Sequence, residues 1–380
     1  MSRGGNFGSI ELTLREKLIR LNWEMFVIIL LVASIGFAML YSAANGNLSP
    51  WASKQMFLFS LGMLLMVLVA IIDIRFWLKL SYLVYGFNLS LLLIVEVLGS
   101  VGMGAQRWLD VGLFQFQPSE TMKIALVMAL ARYFHGLETY DVRRIRFLVV
   151  PLLLIAIPSI LVLRQPDLGT AGVLGLLGAM MLWLAGIRLW HFFGFTLCVF
   201  ASIPIGWQFL HSYQKQRVMT FLDPESDPLG SGYHIIQSKI AMGSGGVFGK
   251  GFLSGTQSHL NFLPEKQTDF IFTMLAEEFG FIGGTTLIGL YTILICYCVF
   301  IAYSCRSKFG RLIAMGLVAN FFLYVFINIA MVTGLVPVVG VPLPLISNGG
   351  TALLTVLIGF GLIMSCWLHK GIFINRRGAT

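Results

Sequence analysis

Residues 261–280 read N-F-L-P-E-K-Q-T-D-F-I-F-T-M-L-A-E-E-F-G. Pro264, Glu265, Lys266, Gln267 and Asp269 stand directly before a long apolar run. A polar cluster in that position marks the place where a membrane helix meets water, and Asp269 lies at the junction. On local propensity alone, Thr268 or Asp269 is a good helix N-cap, worth about 1 kcal/mol. Glu277 and Glu278 follow on the same helix, roughly 12–14 Å further along its axis, too far to form a carboxylate pair with Asp269. Partners for Asp269 therefore come from other helices, from the loop before it, or from a metal.

The same signature runs through the whole chain. Its 380 residues are 57% hydrophobic and 11% charged, with a mean hydropathy of +0.84, which excludes an ordinary soluble domain. The composition predicts an all-α polytopic membrane protein, one membrane domain over residues 1–380, with no room for a separate globular core. Apolar runs near 24–44, 55–73, 77–98, 118–134, 145–163, 169–187, 189–211, 269–304, 311–334 and 349–369 predict ten transmembrane helices. The first run is followed by Ser42-Ala43-Ala44, but its length favours an uncleaved helix over a signal peptide. The run at 269–304 is too long for one upright crossing and predicts a tilt or a projection from the membrane.

Orientation follows from the basic residues. Of the 26 Lys and Arg, 17 fall on one side of these spans and eight on the other, with Lys123 inside a helix. An even number of crossings then puts both termini, 1–22 and 370–380, on the cytoplasmic side. The net charge of +9 is thus a topology signal, and no nucleic-acid partner is expected. Asp110, Glu120, Asp167, Asp223, Glu225, Asp227, Glu265 and Asp269 gather towards the opposite face, so the site is expected to be extracytoplasmic. The five cysteines show no metal-ligand spacing and are read as buried thiols.

One long connection, 213–268, lies on that outer side. Asp223-Pro-Glu-Ser-Asp-Pro-Leu-Gly230 reads as turns, and Tyr233–Met242 spaces apolar residues for a short amphipathic helix. An ordered cap over the outer face is expected. The glycine-rich run 243–255 lacks Walker spacing and a preceding strand, which excludes a nucleotide site. It reads first as a flexible connector, with backbone amides around a lipid diphosphate as the alternative.

Polar residues inside apolar runs are candidates for function. Glu120 and Lys123 share a helix face and can pair, either as a self-neutralising pair or with Lys123 turned towards an anionic ligand. Arg107 either snorkels beside Trp108 or binds phosphate. Asp167 reads as a helix cap. The uncharged run 334–351 holds too much Pro and Gly for continuous helix and predicts a broken segment beside protein or a cavity.

Taken together, Gly104-Ala-Gln-Arg-Trp-Leu-Asp110, Gln117-Pro-Ser-Glu120, Gln165-Pro-Asp-Leu-Gly-Thr170, Asp223-Pro-Glu-Ser-Asp-Pro228, Gly232-Tyr-His-Ile-Ile-Gln-Ser238, Leu263-Pro-Glu265, Thr268-Asp-Phe-Ile-Phe272 and the Pro/Gly-rich run resemble the SEDS family (shape, elongation, division and sporulation). The rod-shape branch fits better than the division branch. The resemblance implies a ten-helix peptidoglycan glycosyltransferase that polymerises lipid II, partnered by a class B penicillin-binding protein and other membrane proteins of the elongation machinery in the bacterial inner membrane. It maps the family's essential aspartate onto Asp269. Arg107, Glu120, Lys123, Lys239, Glu265 and Ser347 are the candidate substrate-binding residues. No nucleotide, haem or flavin is expected, and a divalent cation, Mg2+ or Mn2+, held at Asp269 is left open. Two departures stand out: Gln267 replaces a common histidine, and Asn348 a common tyrosine. The rival readings are a lipid II flippase or transporter and a non-enzymatic scaffold.

Overall fold

The computed structural model describes residues 13–102, 105–110, 115–138, 140–188, 190–192, 194, 201, 208, 212–223, 231–260, 262 and 265–375. Short polar side chains set where several helices begin. Thr13 caps α1 (Leu14–Ile19) and Asn22 caps α2 (Trp23–Ala43). After α3 (Ala52–Ile71), Asp73 caps α4 (Ile74–Leu98). Each accepts a bond from an N–H that the first helical turn leaves without a partner. α5 (Pro118–Gly136) begins instead on Pro118, whose missing N–H costs nothing there. α6 (Val149–Arg164) leads into α7 (Leu168–Leu184), and there Asp167 is the expected cap, accepting from Thr170 N at 3.0 Å and Thr170 Oγ1 at 2.8 Å.

The all-helical expectation needs one amendment. β1 (Ser100–Gly102), β2 (Ala105–Asp110) and β3 (Gln115–Phe116) form a small antiparallel sheet in the order β1-β2-β3 between α4 and α5. Pairing with each other satisfies backbone groups that an irregular loop would have to solvate. Residues 212–260 contribute α8 (Ser212–Leu222), α9 (Ser231–Ser244) and the single turn α10 (Thr256–His259). The chain closes with α11 (Ile271–Ser304), α12 (Lys308–Thr333) and α13 (Gly350–Leu368).

Among the described residues, seven helices are long and apolar enough to cross a membrane: α2, α3, α4, α6 with its preceding turn, α11, α12 and α13. The chain is a multi-pass membrane protein. α7 is apolar but shorter, α5 carries Glu120, Lys123 and Arg132, and most of the run expected at 189–211 lies outside the described residues, as do 224–230 and Cys198. The four described cysteines are free thiols.

Burial separates the core from the rim. In α12 and α13, 78% of the most apolar stretch is buried inside the protein, against 17% for α6. α5, with 15 of its 19 residues buried, joins them at the centre. α3 lies so close to α13 that a Cβ on Gly361 would stand 2.7 Å from Met66 O and one on Gly62 2.4 Å from Leu357 Cδ1. Small residues permit that approach between membrane helices, where dispersion rather than water drives packing.

α11 is not one helix. Gly280 sits inside it at φ 66, ψ −160, which splits a long run into a half-helix from 271 to 279 and a membrane-crossing remainder. The over-long apolar run is thus resolved by a break. The glycine-rich run 243–255 fills that break. Lys250 N and Gly251 N donate to Glu277 O and Glu278 O at 3.1 and 3.0 Å, while Phe281 N and Ile282 N donate to Gly246 O and Val247 O at 2.9 and 3.2 Å. Those two loop amides are therefore committed to the helix and are not available to a diphosphate. The run reads as a fitted splice, not the flexible connector its composition suggests. A Cβ on Gly249 would stand 2.1 Å from Glu278 O, and one on Gly280 2.3 Å from Gly249 N. Gly249→Ala should cost at least ~2 kcal/mol of stability. Gly243→Ala, with nothing within 4 Å of its Cβ, should leave the thermal unfolding midpoint of the purified protein unchanged or slightly raised.

Candidate active site

Asp269 belongs to a turn, 265–270, that delivers the chain into α11. Glu265 opens it with φ 54, and its carbonyl accepts from Thr268 N at 3.0 Å. The carboxylate of Glu265 also faces inward, accepting from Gln267 Nε2 at 3.2 Å and Thr268 Oγ1 at 3.1 Å. The capping role expected for Thr268 or Asp269 falls to neither: the N-cap is Phe270, without a side-chain hydrogen bond. Helix initiation therefore does not explain an aspartate at 269.

The Pro/Gly-rich run 334–349 is non-helical, as expected, and its function in the fold is to hold this turn. Three consecutive carbonyls are tied down. Asn348 N donates to Gln267 O at 2.9 Å, Ser347 Oγ to Thr268 O at 2.6 Å, and Asn328 Nδ2 to Asp269 O at 3.0 Å. Asn328 also donates to Val341 O at 2.7 Å, which fixes the run against α12. Gln55 Nε2 and Tyr291 Oη satisfy Ser347 O and Pro344 O at 2.9 and 2.6 Å. Irregular backbone at membrane depth survives only with such partners. The two positions where this chain departs from the SEDS pattern, Gln267 and Asn348, are thus bonded to each other. Gly340, at φ 72, leaves its α-carbon beside Asp269: a Cβ there would lie 3.5 Å from Asp269 Oδ2.

The other predicted residues surround this turn at different removes. Ser347 is part of the clamp itself. Arg107, on β2, donates to Pro166 O at 2.9 Å and lies 3.5 Å from Asp167 Oδ2, so it bridges the small sheet to the start of α7. That start abuts the run beside Asp269, since a Cβ on Gly169 would meet Val339 O at 2.7 Å. Lys239 is exposed on α9 and reaches the C-terminal end of α12, its Nζ 2.8 Å from where a Cβ would stand on Gly334; a cation is favoured at that end of a helix. Lys266 is buried and donates to Ser258 O at 2.9 Å, and its burial pushes the ammonium below the ordinary lysine range.

Glu120 and Lys123 sit deeper, in a closed triad. Lys123 Nζ donates to Glu120 Oε1 at 2.7 Å and to Tyr324 Oη, and Tyr324 Oη donates to Glu120 Oε2. Lys123 is 2% exposed. The self-neutralising arrangement is the one present. Tyr324 also lines a small cavity with Pro342, Leu343, Pro344, Ser347 and Gly349, which places the triad one layer beneath the clamp. Sequence reasoning missed Tyr324 and Asn328. The signal that could have found them is a period of four: Asn320, Tyr324 and Asn328 put polar groups on one face of an otherwise apolar helix. Lys123→Met would leave the Glu120 carboxylate buried without its cation, at a cost of about 3–5 kcal/mol. Adding Glu120→Gln should restore most of that loss, and thermal unfolding of the purified variants measures both.

Comparison with known proteins identifies the family. The FtsW/RodA/SpoVE family, described as cell cycle protein, matches over residues 17–371. The chain is 46% identical over 348 residues to the peptidoglycan glycosyltransferase MrdB of Escherichia coli (strain K12), covering 90% of this chain and 93% of that one. It is 31% identical over 420 residues to the peptidoglycan glycosyltransferase RodA of Treponema pallidum, covering 90% and 96%. Among solved structures, a chain from a study of the structural coordination of polymerization and crosslinking by a peptidoglycan synthase complex superposes with a TM-score of 0.79 at 33% identity, covering 92% of this chain and 98% of that one. The crystal structure of Thermus thermophilus rod shape determining protein RodA does so with a TM-score of 0.70 at 28% identity, covering 93% and 98%. With the family model matching residues 17–371 and a relative 46% identical over 90% of the chain, the chain belongs to the FtsW/RodA/SpoVE family, the SEDS proteins.

Proposed function

We propose that Asp269 is the catalytic carboxylate with which this chain polymerises lipid II. The chain is a peptidoglycan glycosyltransferase of the cell-elongation type. In the reaction a sugar hydroxyl of one lipid-linked disaccharide displaces the undecaprenyl diphosphate of another. The attacking hydroxyl needs a base, and the departing diphosphate needs positive charge. Asp269 takes the hydroxyl proton or orients the hydroxyl. The observation that carries this is the clamp: the carbonyls of residues 267, 268 and 269 each accept a bond from the surrounding fold, and the aspartate is not the cap of the helix it precedes. An aspartate whose main chain is held and whose side chain has no capping role fits a catalytic one.

Arg107 and Lys239, each partly solvent-accessible, offset the diphosphate charge. Lys123, closed onto Glu120 and Tyr324, contributes from beneath by fixing α5 against α12. Glu265 and Ser347 shape the turn that carries Asp269. A divalent cation, Mg2+ or Mn2+, would be held by Asp269 together with diphosphate oxygens, because no cluster of three or more His, Cys, Asp and Glu comes together among the described residues. Such an ion commonly takes one or two carboxylates and completes its shell with phosphate and water, and it would supply charge to the leaving group.

The apolar runs support ten crossings, and the basic-residue asymmetry across them supports both termini in the cytoplasm and residues 213–268 as an extracytoplasmic cap over the site. The family resemblance supports the bacterial cytoplasmic membrane as its location, and the same orientation supports chemistry on the outer face. The partner is a class B penicillin-binding protein, a reading supported by the likeness to a complex that coordinates polymerization with crosslinking.

Asp269→Asn tests the base. Asparagine is close to aspartate in size and polarity but takes no proton. Purified Asp269→Asn protein given lipid II should make less than about 1% of the wild-type polymer, in line with the loss of a general base. Polymer formed at the wild-type rate would remove the assignment, and absence of polymer from the wild-type chain would favour lipid transport or scaffolding instead.

A further inference from the structure

Two glutamates that the reaction does not use lie fully buried beside the break in α11. Glu278 receives Ser42 Oγ from the end of α2 and stands 3.2 Å from His259 Nε2. Glu277 is the more completely engaged. Its Oε1 accepts from Lys250 Nζ at 2.8 Å, Gln257 N at 2.8 Å and Thr256 Oγ1 at 3.3 Å, and its Oε2 from Ser258 Oγ at 2.7 Å and Ser258 N at 3.2 Å. Five donors on a carboxylate with no solvent exposure fix its position more firmly than any single bond could.

What Glu277 holds leads back to the site. Ser258 O accepts from Lys266 Nζ at 2.9 Å. Lys266 stands in the same turn as Asp269, and that turn runs directly into the half-helix that carries Glu277. A ring therefore closes through the chain: Glu277 to Ser258, Ser258 to Lys266, Lys266 along the turn past Asp269, and down the half-helix to Glu277. The turn is gripped at its far end by its own helix and at its near end by a residue that this helix positions.

We infer that Glu277 is a positioning residue for Asp269, acting through Ser258 and Lys266. The inference rests on Asp269 as the catalytic carboxylate. Glu277 touches no reacting atom; it sets where the aspartate stands. Loosening the ring lets the turn shift, and a displacement of ~1 Å of a reacting group can cost on the order of 100-fold in rate.

The test uses the full-length purified protein with lipid II, in three single variants and one double. Glu277→Gln removes the charge that gathers five donors, and Lys266→Met removes the strut at the turn while leaving Glu277 untouched. Each is expected to lower kcat by roughly 10- to 100-fold while KM for lipid II stays within about twofold. The double variant should fall no more than about twofold below the worse single, because both cut the same ring. Multiplying losses, or wild-type kcat in folded Glu277→Gln, would overturn the inference. So would a raised KM with unchanged kcat in Lys266→Met, which would make that lysine a substrate contact. If Glu277→Gln does not fold, Lys266→Met alone decides by the same kcat and KM criterion. Asp269→Asn separates the two claims: its retention of activity defeats the catalytic reading, whereas its inactivity beside a normal Glu277→Gln defeats only the positioning.

Discussion

Inside a bilayer a peptide group has no water to bond, so every backbone N–H and C=O that leaves a helix must find a partner within the protein. This chain leaves helix at Gly280, within the helix that follows Asp269, and over 334–349, beside its turn; the first set of unpaired groups is answered by another irregular segment and the second by helix side chains. The break in α11 is closed by main-chain bonds from the glycine-rich run. The Pro/Gly-rich run is held by Gln55, Tyr291 and Asn328, and in return holds the turn of Asp269. Two interruptions that would each be costly alone become the frame of the site.

Charge follows the same rule at a higher cost. The ion pairs of buried carboxylates here are not isolated: Lys123 with Glu120 has Tyr324 as a third member, and Lys250 with Glu277 has Thr256, Gln257 and Ser258 beside it. Removing a carboxylate from water is repaid only when its remaining lone pairs are also bonded. Such networks give the interior few alternative arrangements, which suits a membrane protein whose apolar surfaces can slide with little penalty. Specific register between α5 and α12, and between residues 250–258 and α11, rests on these polar contacts.

Much of this was legible in the sequence and some was not. Hydropathy marked the helices because lipid demands uniform apolar length, and the Asp167 cap and the broken run at 334–351 followed from local chemistry. Asp269 stood out as the carboxylate at a membrane boundary, and the family resemblance gave it weight. What sequence could not show was pairing between distant segments. The glycine-rich run looked like a connector because glycine is read first as freedom, whereas here it permits contact at distances no Cβ would allow. Glu277 and Glu278 were read only as too distant to pair with Asp269, and their attachment to Lys250, Ser258, Ser42 and His259 depends on tertiary contact. The small sheet of β1, β2 and β3 escapes the sequence because its strands are too short for a period of two to register.

The splice at Gly280 also bears on how freely this part of the chain can vary. Its four bonds use only main-chain atoms, so they recognise a backbone path and not side-chain identity. Val247 and Phe248 lie within the spliced run yet are 56% and 80% exposed, and they can be exchanged without touching a single one of those bonds. Drift in this region should therefore be uneven, with glycines at 245, 249 and 280 held by steric necessity while their neighbours are free to adapt to whatever lipid or protein surface lies outside.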